Sequence, residues 1–517
     1  MNRALRCARV AVLSALVPVV AVVAGCRSES HSSGEERASR ALDVARSNPL
    51  ALRAFLADMP KGAELHYHLE GGIYAESWIR AGVQDHLCVN LASMAFVKEK
   101  SAGCKSGEAP AEKANEDQRL YDSLIDAFSM RGFVPTPGVT GHDHFFAAFE
   151  KFEPADPGHT GEWFDEVATR AAAQNEQYIE LLVTPDFTHT AVIAHQLDWR
   201  PNLPFGEFRD QLLARGLRDD VAVARAYLDQ GESARRQIEH CGEPGAAPAC
   251  AVEFRYIYQV LRAFPPEQVF AQTFLGFEAA SVDPRFVGIN YVQPEDDRTA
   301  MSDYELHMHM LDFFHGVYPH VHISLHAGEL APGLVPPGGL CCHIRLAVEV
   351  AHAERIGHGV DVMYEDRPYD LLREMAAKHV MVEINLTSND EILGVTGYDN
   401  PFPTYRKFGV PVALSTDDEG VSRIDLTHEY VRAVETYALT YANLKKMVRT
   451  SIEHSFLPGE SLWQDPDRYR SVAAACASDS LGAAQRSPAC GKFLGASEKA
   501  QQQWELERRF AAFESKQ

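Results

Sequence analysis

In the stretch AELHYHLEGG, Ala63 to Gly72, His66 and His68 sit two residues apart at the end of an apolar run, followed by Glu70 and the glycines Gly71 and Gly72. Side chains on a strand alternate with period two, so both imidazoles face one way and can share one metal ion. Imidazole nitrogen suits zinc and similar borderline ions. The pair alone is a modest signal, because H-x-H also arises by chance and as a hydrogen-bonded core pair. The chain repeats it in GHDHFF (His142, His144) and HMHM (His307, His309). Those lie at a helix start and within a helix, where positions i and i+2 diverge, and are read as structural.

Three later segments answer the first pair. SLHAGE carries His326 with Glu329 just beyond, RIGHG sets His358 between glycines that allow close approach, and LSTDDE ends an apolar run with Asp417 and Asp418. His66, His68, His326 and Asp417 would form a shell of three nitrogens and one oxygen with room for a water, whose pKa such an ion lowers toward neutrality. Glu329, His358 and Asp418 remain for acid, base and binding duties. Each residue singly is more often structural. All the segments together, in order, are hard to assemble by accident.

Positioning such residues at one rim asks for a particular scaffold. Eight apolar or alternating runs punctuate the chain: AELHYHLEG, QYIELLVTP, VEFRYIYQV, FVGINYV, HISLHAGE, RIGHGVD, VMVEINLTS and VPVALSTDD. Amphipathic stretches such as DYELHMHMLDFFHGVY and CCHIRLAVEVAHA lie between several of them. This alternation predicts an α/β fold, a (β/α)8 TIM barrel, whose working residues sit at the C-terminal strand ends. An open doubly wound sheet would want a glycine-rich phosphate turn after the first strand, and neither G-x-G-x-x-G nor a Walker-type loop occurs. The expected organisation is a signal peptide over 1–25, a polar tether over 26–45, a barrel over 46–460 with an inserted lobe at about 83–140, and a C-terminal helical and disulfide-bearing extension over 461–517.

Composition narrows the function. With 72 Asp plus Glu against 49 Lys plus Arg, the net charge of −23 argues against a nucleic-acid polymer as partner. The N-terminus has Arg3, Arg6 and Arg9, an apolar run of signal-peptide length and then VAGC, which predicts export. The cysteine after Ala24-Gly25 resembles a bacterial lipobox, making Cys26 the lipid-bearing first residue of a periplasmic or cell-surface lipoprotein. Membrane contact is then expected only through that anchor. Three cysteine pairs lie close in sequence, 88 with 104, 241 with 250, and 476 with 490, and are expected to oxidise in an exported chain. The pairing of adjacent Cys341 and Cys342 stays open.

MPKGAELHYHLEG, SLHAGE, RIGHG and LSTDD, in this order from about Met59 to Asp418, resemble the adenosine deaminase family. The lobe cysteines, YDSLIDAF and the export signal resemble its secreted growth-factor-related subgroup. The family resemblance implies one zinc ion per chain, held by His66, His68, His326 and Asp417. It implies that Glu329 protonates the purine ring nitrogen beside the reacting carbon. His358, with Asp417, orients and deprotonates the attacking water. The substrate-binding residues it implies are Glu70, Gly71, Asp418 and Gln293, and the products are inosine and ammonia.

Three positions depart from the family pattern. Glu70 stands where aspartate is common, Gln293 stands where a glycine backbone meets the purine, and Glu419 replaces a proline. They leave the metal chemistry intact and open the identity of the nucleoside. The alternatives are another metal-dependent amidohydrolase on the same barrel, or a surface binding or signalling protein that retains it. A homodimer is left open.

Overall fold

The computed structural model describes residues 33–97, 103–200 and 202–517. The expected signal peptide and Cys26 lie outside the described residues. Among the described residues, no helix is long and apolar enough to cross a membrane.

Eight parallel strands form one sheet in chain order: β1 (Gly62–His68), β2 (Glu176–Val183), β3 (Glu253–Leu261), β4 (Phe286–Val292), β5 (His322–Ala327), β6 (Arg355–His358), β7 (Met381–Ile384) and β8 (Val412–Leu414). They coincide with the eight runs read from the sequence. The ring closes where β8 runs out: the Asp417 N–H donates to the His66 carbonyl at 3.2 Å, and the His68 N–H donates to the Asp417 carbonyl at 3.1 Å. Closure therefore uses the residues of the expected site. The strands are buried along nearly their whole length, as parallel strands flanked by helices must be.

Several charged residues inside these strands are bonded across the barrel. Arg355 at the start of β6 lies 2.5 Å from Glu180 of β2 and 2.7 Å from Glu383 of β7, all three side chains being fully buried. Glu64 of β1 accepts the N–H and hydroxyl of Thr416 at 2.5 and 2.6 Å, pinning the chain just before Asp417.

Between β1 and β2 the inserted segment folds as a three-stranded antiparallel sheet, Cys88–Asn90 flanked by Ala95–Val97 and Glu108–Pro110, followed by helices. Cys88 pairs with Cys104, Cys241 with Cys250 and Cys476 with Cys490. Adjacent Cys341 and Cys342 are also paired. Beyond the barrel, Leu462, Trp463, Tyr469, Leu494 and Trp504 form a small core of their own around the Cys476–Cys490 bond. The closing helix Glu498–Lys516 returns to the barrel, where Phe513 meets Phe55 edge-on at 5.2 Å.

The tether expected over 26–45 is corrected in its second half, which is the helix Gly34–Ala45. Ser33 and Glu36 form a reciprocal capping box, and Ala38, Leu42 and Ala45 are buried on one face. The polar composition of the segment masks this S-x-x-E start and the i, i+4, i+7 apolar spacing behind it.

Candidate metal and active site

The structure brings His66, His68, His326 and Asp417 together: one ligand atom from each lies within 4.8 Å of all the others. His66 Nε2 and His68 Nε2 are each 3.2 Å from Asp417 Oδ1, and His68 Nε2 is 3.2 Å from His326 Nε2. The opposite nitrogens face fixed acceptors. His66 Nδ1 donates to Glu383 at 2.7 Å, His326 Nδ1 donates to the Asn290 side-chain oxygen at 2.7 Å, and His68 Nδ1 donates to Gln259. With each Nδ1 carrying its proton, each Nε2 presents a lone pair inward. Three lone pairs and a carboxylate oxygen converging in a buried space repel one another unless a cation sits among them. His66 Nε2 has no hydrogen-bond partner. The donor set therefore fits a divalent ion of borderline character.

Backbone conformation at the rim is unusual. His358, Asp417 and Gln293 have φ of +67°, +68° and +81°, and Gly328 and Gly359 share this left-handed region. Left-handed backbone costs a non-glycine residue about 1–2 kcal/mol and clusters at functional sites. Gly357 has a different constraint: a Cβ there would sit 2.6 Å from the His66 ring.

Glu329, His358 and Asp418 flank the cluster. His358 Nε2 is 3.6 Å from Asp417 Oδ2 and its Nδ1 is 3.7 Å from Glu329. His358 Nδ1 also donates to the Asn389 side-chain oxygen at 3.0 Å, which leaves Nε2, 3.5 Å from the Asn385 amide nitrogen, as the basic nitrogen. Burial keeps the His358 imidazole below its ordinary pKa, hence neutral. Burial, with the charges of Asp417 and Glu295, pushes the Glu329 carboxyl well above the usual range. Asp418 is raised for the same first reason and by Asp417 beside it. Burial works against ionised Asp417 too, but without a bound cation the positive charge that Asp417 and Glu383 draw onto His66 against burial, to a pKa of about 10, helps hold the Asp417 carboxyl well below the usual range; a cation in the cluster takes over that role. Adjacent aspartates are thus driven to opposite protonation states, which separates their roles.

Glu70 lies in the turn Leu69–Gly72 after β1, half-buried, its carboxyl raised to about 8 by burial and by Asp156. Gly71 is packed against Asp418, where a Cβ would fall 1.6 Å from Oδ1. The Gln293 side chain turns away to accept the Ala263 N–H at 2.9 Å, so only its backbone conformation matches the expected glycine. Glu419 binds the Tyr67 hydroxyl at 2.6 Å and Arg170 at 3.1 Å, tying the turn after β8 to the helix Thr160–Ala173. His307 is a buried structural residue, kept neutral by a pKa lowered to about 3 through burial. His142, also read as structural, reaches Asp296 in the loop after β4 at 2.9 Å.

Residues not foreseen hold the site in place. Glu383, Asn290 and Gln259 orient the three imidazoles, and Asn389 orients His358. Glu295 accepts the N–H groups of Gly328 and Glu329 at 3.0 and 2.7 Å and takes a third contact from His343 Nδ1 at 2.5 Å. The available signal was a carboxylate or amide within an apolar strand, as in MVEI or FVGINYV, because a buried polar group needs a partner.

Fold and rim define a (β/α)8 barrel carrying a metal-ligand cluster of three histidines and an aspartate at its C-terminal mouth. The family model described as adenosine deaminase matches residues 164–462, and the chain belongs to that family. An adenosine deaminase of Clostridium perfringens (strain 13 / Type A) is 35% identical over 139 residues, 27% of this chain and 39% of that protein. One from Shewanella loihica is 33% identical over 136 residues, 26% of this chain and 38% of that protein. These matches therefore span well under half of the curated relatives. The apo structure of an N6-methyl-AMP deaminase from Arabidopsis thaliana matches with a TM-score of 0.51 at 19% identity, covering 78% of this chain and 94% of that chain. At that identity the likeness concerns the fold.

Proposed function

We propose that the protein is a zinc-dependent deaminase of adenosine or a closely related aminopurine nucleoside, releasing inosine and ammonia. The observation that carries this reading is the buried His66–His68–His326–Asp417 cluster flanked by two carboxyls kept protonated, Glu329 and Asp418. A divalent ion held by those four residues supplies Lewis acidity that makes water nucleophilic near neutral pH. Glu329 gives its proton to the ring nitrogen next to the carbon bearing the amino group, which makes that carbon electrophilic. Neutral His358 takes one proton of the attacking water on Nε2 and returns it to the departing amine as ammonia, while the second water proton, lost as the new hydroxyl becomes the inosine carbonyl, returns to Glu329, so both groups are regenerated. Asp418, protonated and with an unpartnered buried Oδ1, has a hydrogen to donate to the imidazole-side nitrogen of a purine.

The surroundings favour a nucleoside over a nucleotide. Glu70, Asp156, Asp296, Glu329 and Asp418 all carry carboxyls, with Glu70 raised to about 8 and Asp156 to about 6. A phosphate dianion finds no cationic partner among these carboxyls, whereas the neutral sugar of a nucleoside needs only their hydrogen bonds. Glu70 in its protonated form can donate to a sugar hydroxyl.

Purified protein is assayed by ultraviolet absorbance with adenosine, deoxyadenosine, AMP and adenine, alongside metal analysis. Turnover of adenosine by metal-loaded protein, lost on chelation, is expected. Preference for AMP, or full turnover by metal-free protein, refutes the assignment.

Export and lipid attachment at Cys26 belong to the same proposal, supported by the basic–apolar–VAGC start and by the paired cysteines, which suit an oxidising compartment. Cys26→Ser should release the protein from the membrane fraction. Continued membrane association of that variant refutes the anchor.

A further inference from the structure

At the opposite end of the barrel a cavity of about 740 Å³ opens under the N-terminal ends of β5, β6 and β7. His322, Arg355 and Val380 come to it from the barrel, and Pro466 and Lys499 come from beyond residue 462, where the deaminase family match ends. It is a junction cavity of a size typical of small-ligand sites, which favour such junctions. The floor of a TIM barrel is remote from the mouth where catalysis takes place.

The charges here run against the rest of the molecule. In a chain of net charge −23, the lining holds Arg355, Lys378, Lys499 and four histidines against Glu354 and Glu453. Most of these cations already have carboxylate partners. Lys378 meets Glu374 at 2.7 Å and His322 meets Glu354 at 2.8 Å. His379 and His454 share Asp467 at 2.6 and 2.8 Å, and His352 meets Asp312 at 2.9 Å. Arg355 is committed to Glu180 and Glu383.

Lys499 is the exception. Its Nζ donates to the Glu453 carbonyl at 3.0 Å, and among the described residues no carboxylate oxygen lies within ion-pair distance of it. It is half-buried, and burial draws its pKa down against the pull of Glu453, Glu180 and Glu354. A cation partly removed from water without a counter-ion is costly. Beside it the wall is apolar. Val380, Leu457 and Phe456 are buried, and Phe456 is stacked on His322 at 4.6 Å with Arg355 over its ring at 3.9 Å, so this wall is rigid.

We propose that this cavity binds a small organic acid, a molecule whose apolar body lies against Val380 and Leu457 and whose oxyanion pairs with Lys499 Nζ. A phosphate ester and a carboxylate share that chemistry, and the test separates them.

The full chain is titrated calorimetrically with phenyl phosphate, benzoate and neutral benzyl alcohol, as wild type and as Lys499→Met, Lys499→Arg and Lys378→Met. At least one anion is expected to bind wild type with salt-dependent affinity, and the stronger of the two identifies the preferred oxyanion. Lys499→Met should weaken that binding about tenfold or more, Lys499→Arg should restore most of it, and Lys378→Met should leave it near wild type. Benzyl alcohol should bind no better than the anions do to Lys499→Met. Absence of anion binding at roughly millimolar ligand overturns the proposal, as does equal affinity in wild type and Lys499→Met. Because the readout is binding, failure here leaves the deaminase reading untouched, and failure of that reading leaves this site untouched.

Discussion

Replacing Glu295 with glutamine tests how the loop carrying Glu329 is held. Glu295 is buried between Arg262 and His343, and its two oxygens accept the N–H groups of Gly328 and Glu329. Burial opposes its charge, but His343 and Arg262 hold the carboxyl below the usual range, so it acts as an anion. Glutamine keeps the shape, loses the charge, and turns one acceptor into an NH2 that must face an N–H donor. A charge-assisted hydrogen bond is worth about 1.5–3 kcal/mol. If that loss is felt where Glu329 meets the transition state, kcat falls roughly 10- to 150-fold, at 1.36 kcal/mol per tenfold.

The same change alters pH dependence. The charge of Glu295 is one of the causes that raise the Glu329 carboxyl, after burial and Asp417. Removing it lowers the pKa of Glu329. Because the protonated form is the acid, activity is then lost at a lower pH, and the alkaline limb of kcat moves toward acid. Steady-state kinetics across pH, with metal content and melting temperature measured in parallel, check both effects. Glu295→Asp, which retains the charge, should restore the position of the limb better than the rate. A Glu295→Gln enzyme with wild-type kcat and an unmoved alkaline limb refutes the reasoning, whatever its melting temperature.

Three further outcomes follow from the same geometry. Glu329→Gln should lower kcat by about 10²–10⁴, the usual share of a general acid, with metal content unchanged by elemental analysis. Gly71→Ala places a Cβ 1.6 Å from Asp418 Oδ1, so it should raise KM for the purine and cost about 1–3 kcal/mol in chemical denaturation. Chelation should abolish turnover and lower the melting temperature, because the converging His66, His68 and His326 nitrogens lose the cation that reconciles them. Re-addition of zinc should restore both.

The barrel was legible because each strand is a short, nearly continuous apolar run ending in polar residues, and that pattern survives without any knowledge of neighbours. Its limits showed where composition misled: GEERASRALDVA reads as solvated, yet its helix buries one face against the helices Pro49–Asp58, Tyr441–Glu453 and Glu498–Lys516. His142 likewise gave no hint of Asp296, 154 residues away.

Within the site, the sequence by itself determined which residues could ligate or move protons, because imidazoles at alternate strand positions and carboxylates at strand ends announce their chemistry through type and spacing. Tertiary structure alone decided the states of those groups. Asp417 and Asp418 are neighbours of one residue type, yet one is held ionised by surrounding imidazoles and the other protonated by burial beside that charge. Glu383, Asn290 and Gln259 fix the imidazole tautomers from three other strands. A pKa and a tautomer are set by what lies within a few ångströms in space, and those neighbours come from positions scattered across more than 300 residues of chain.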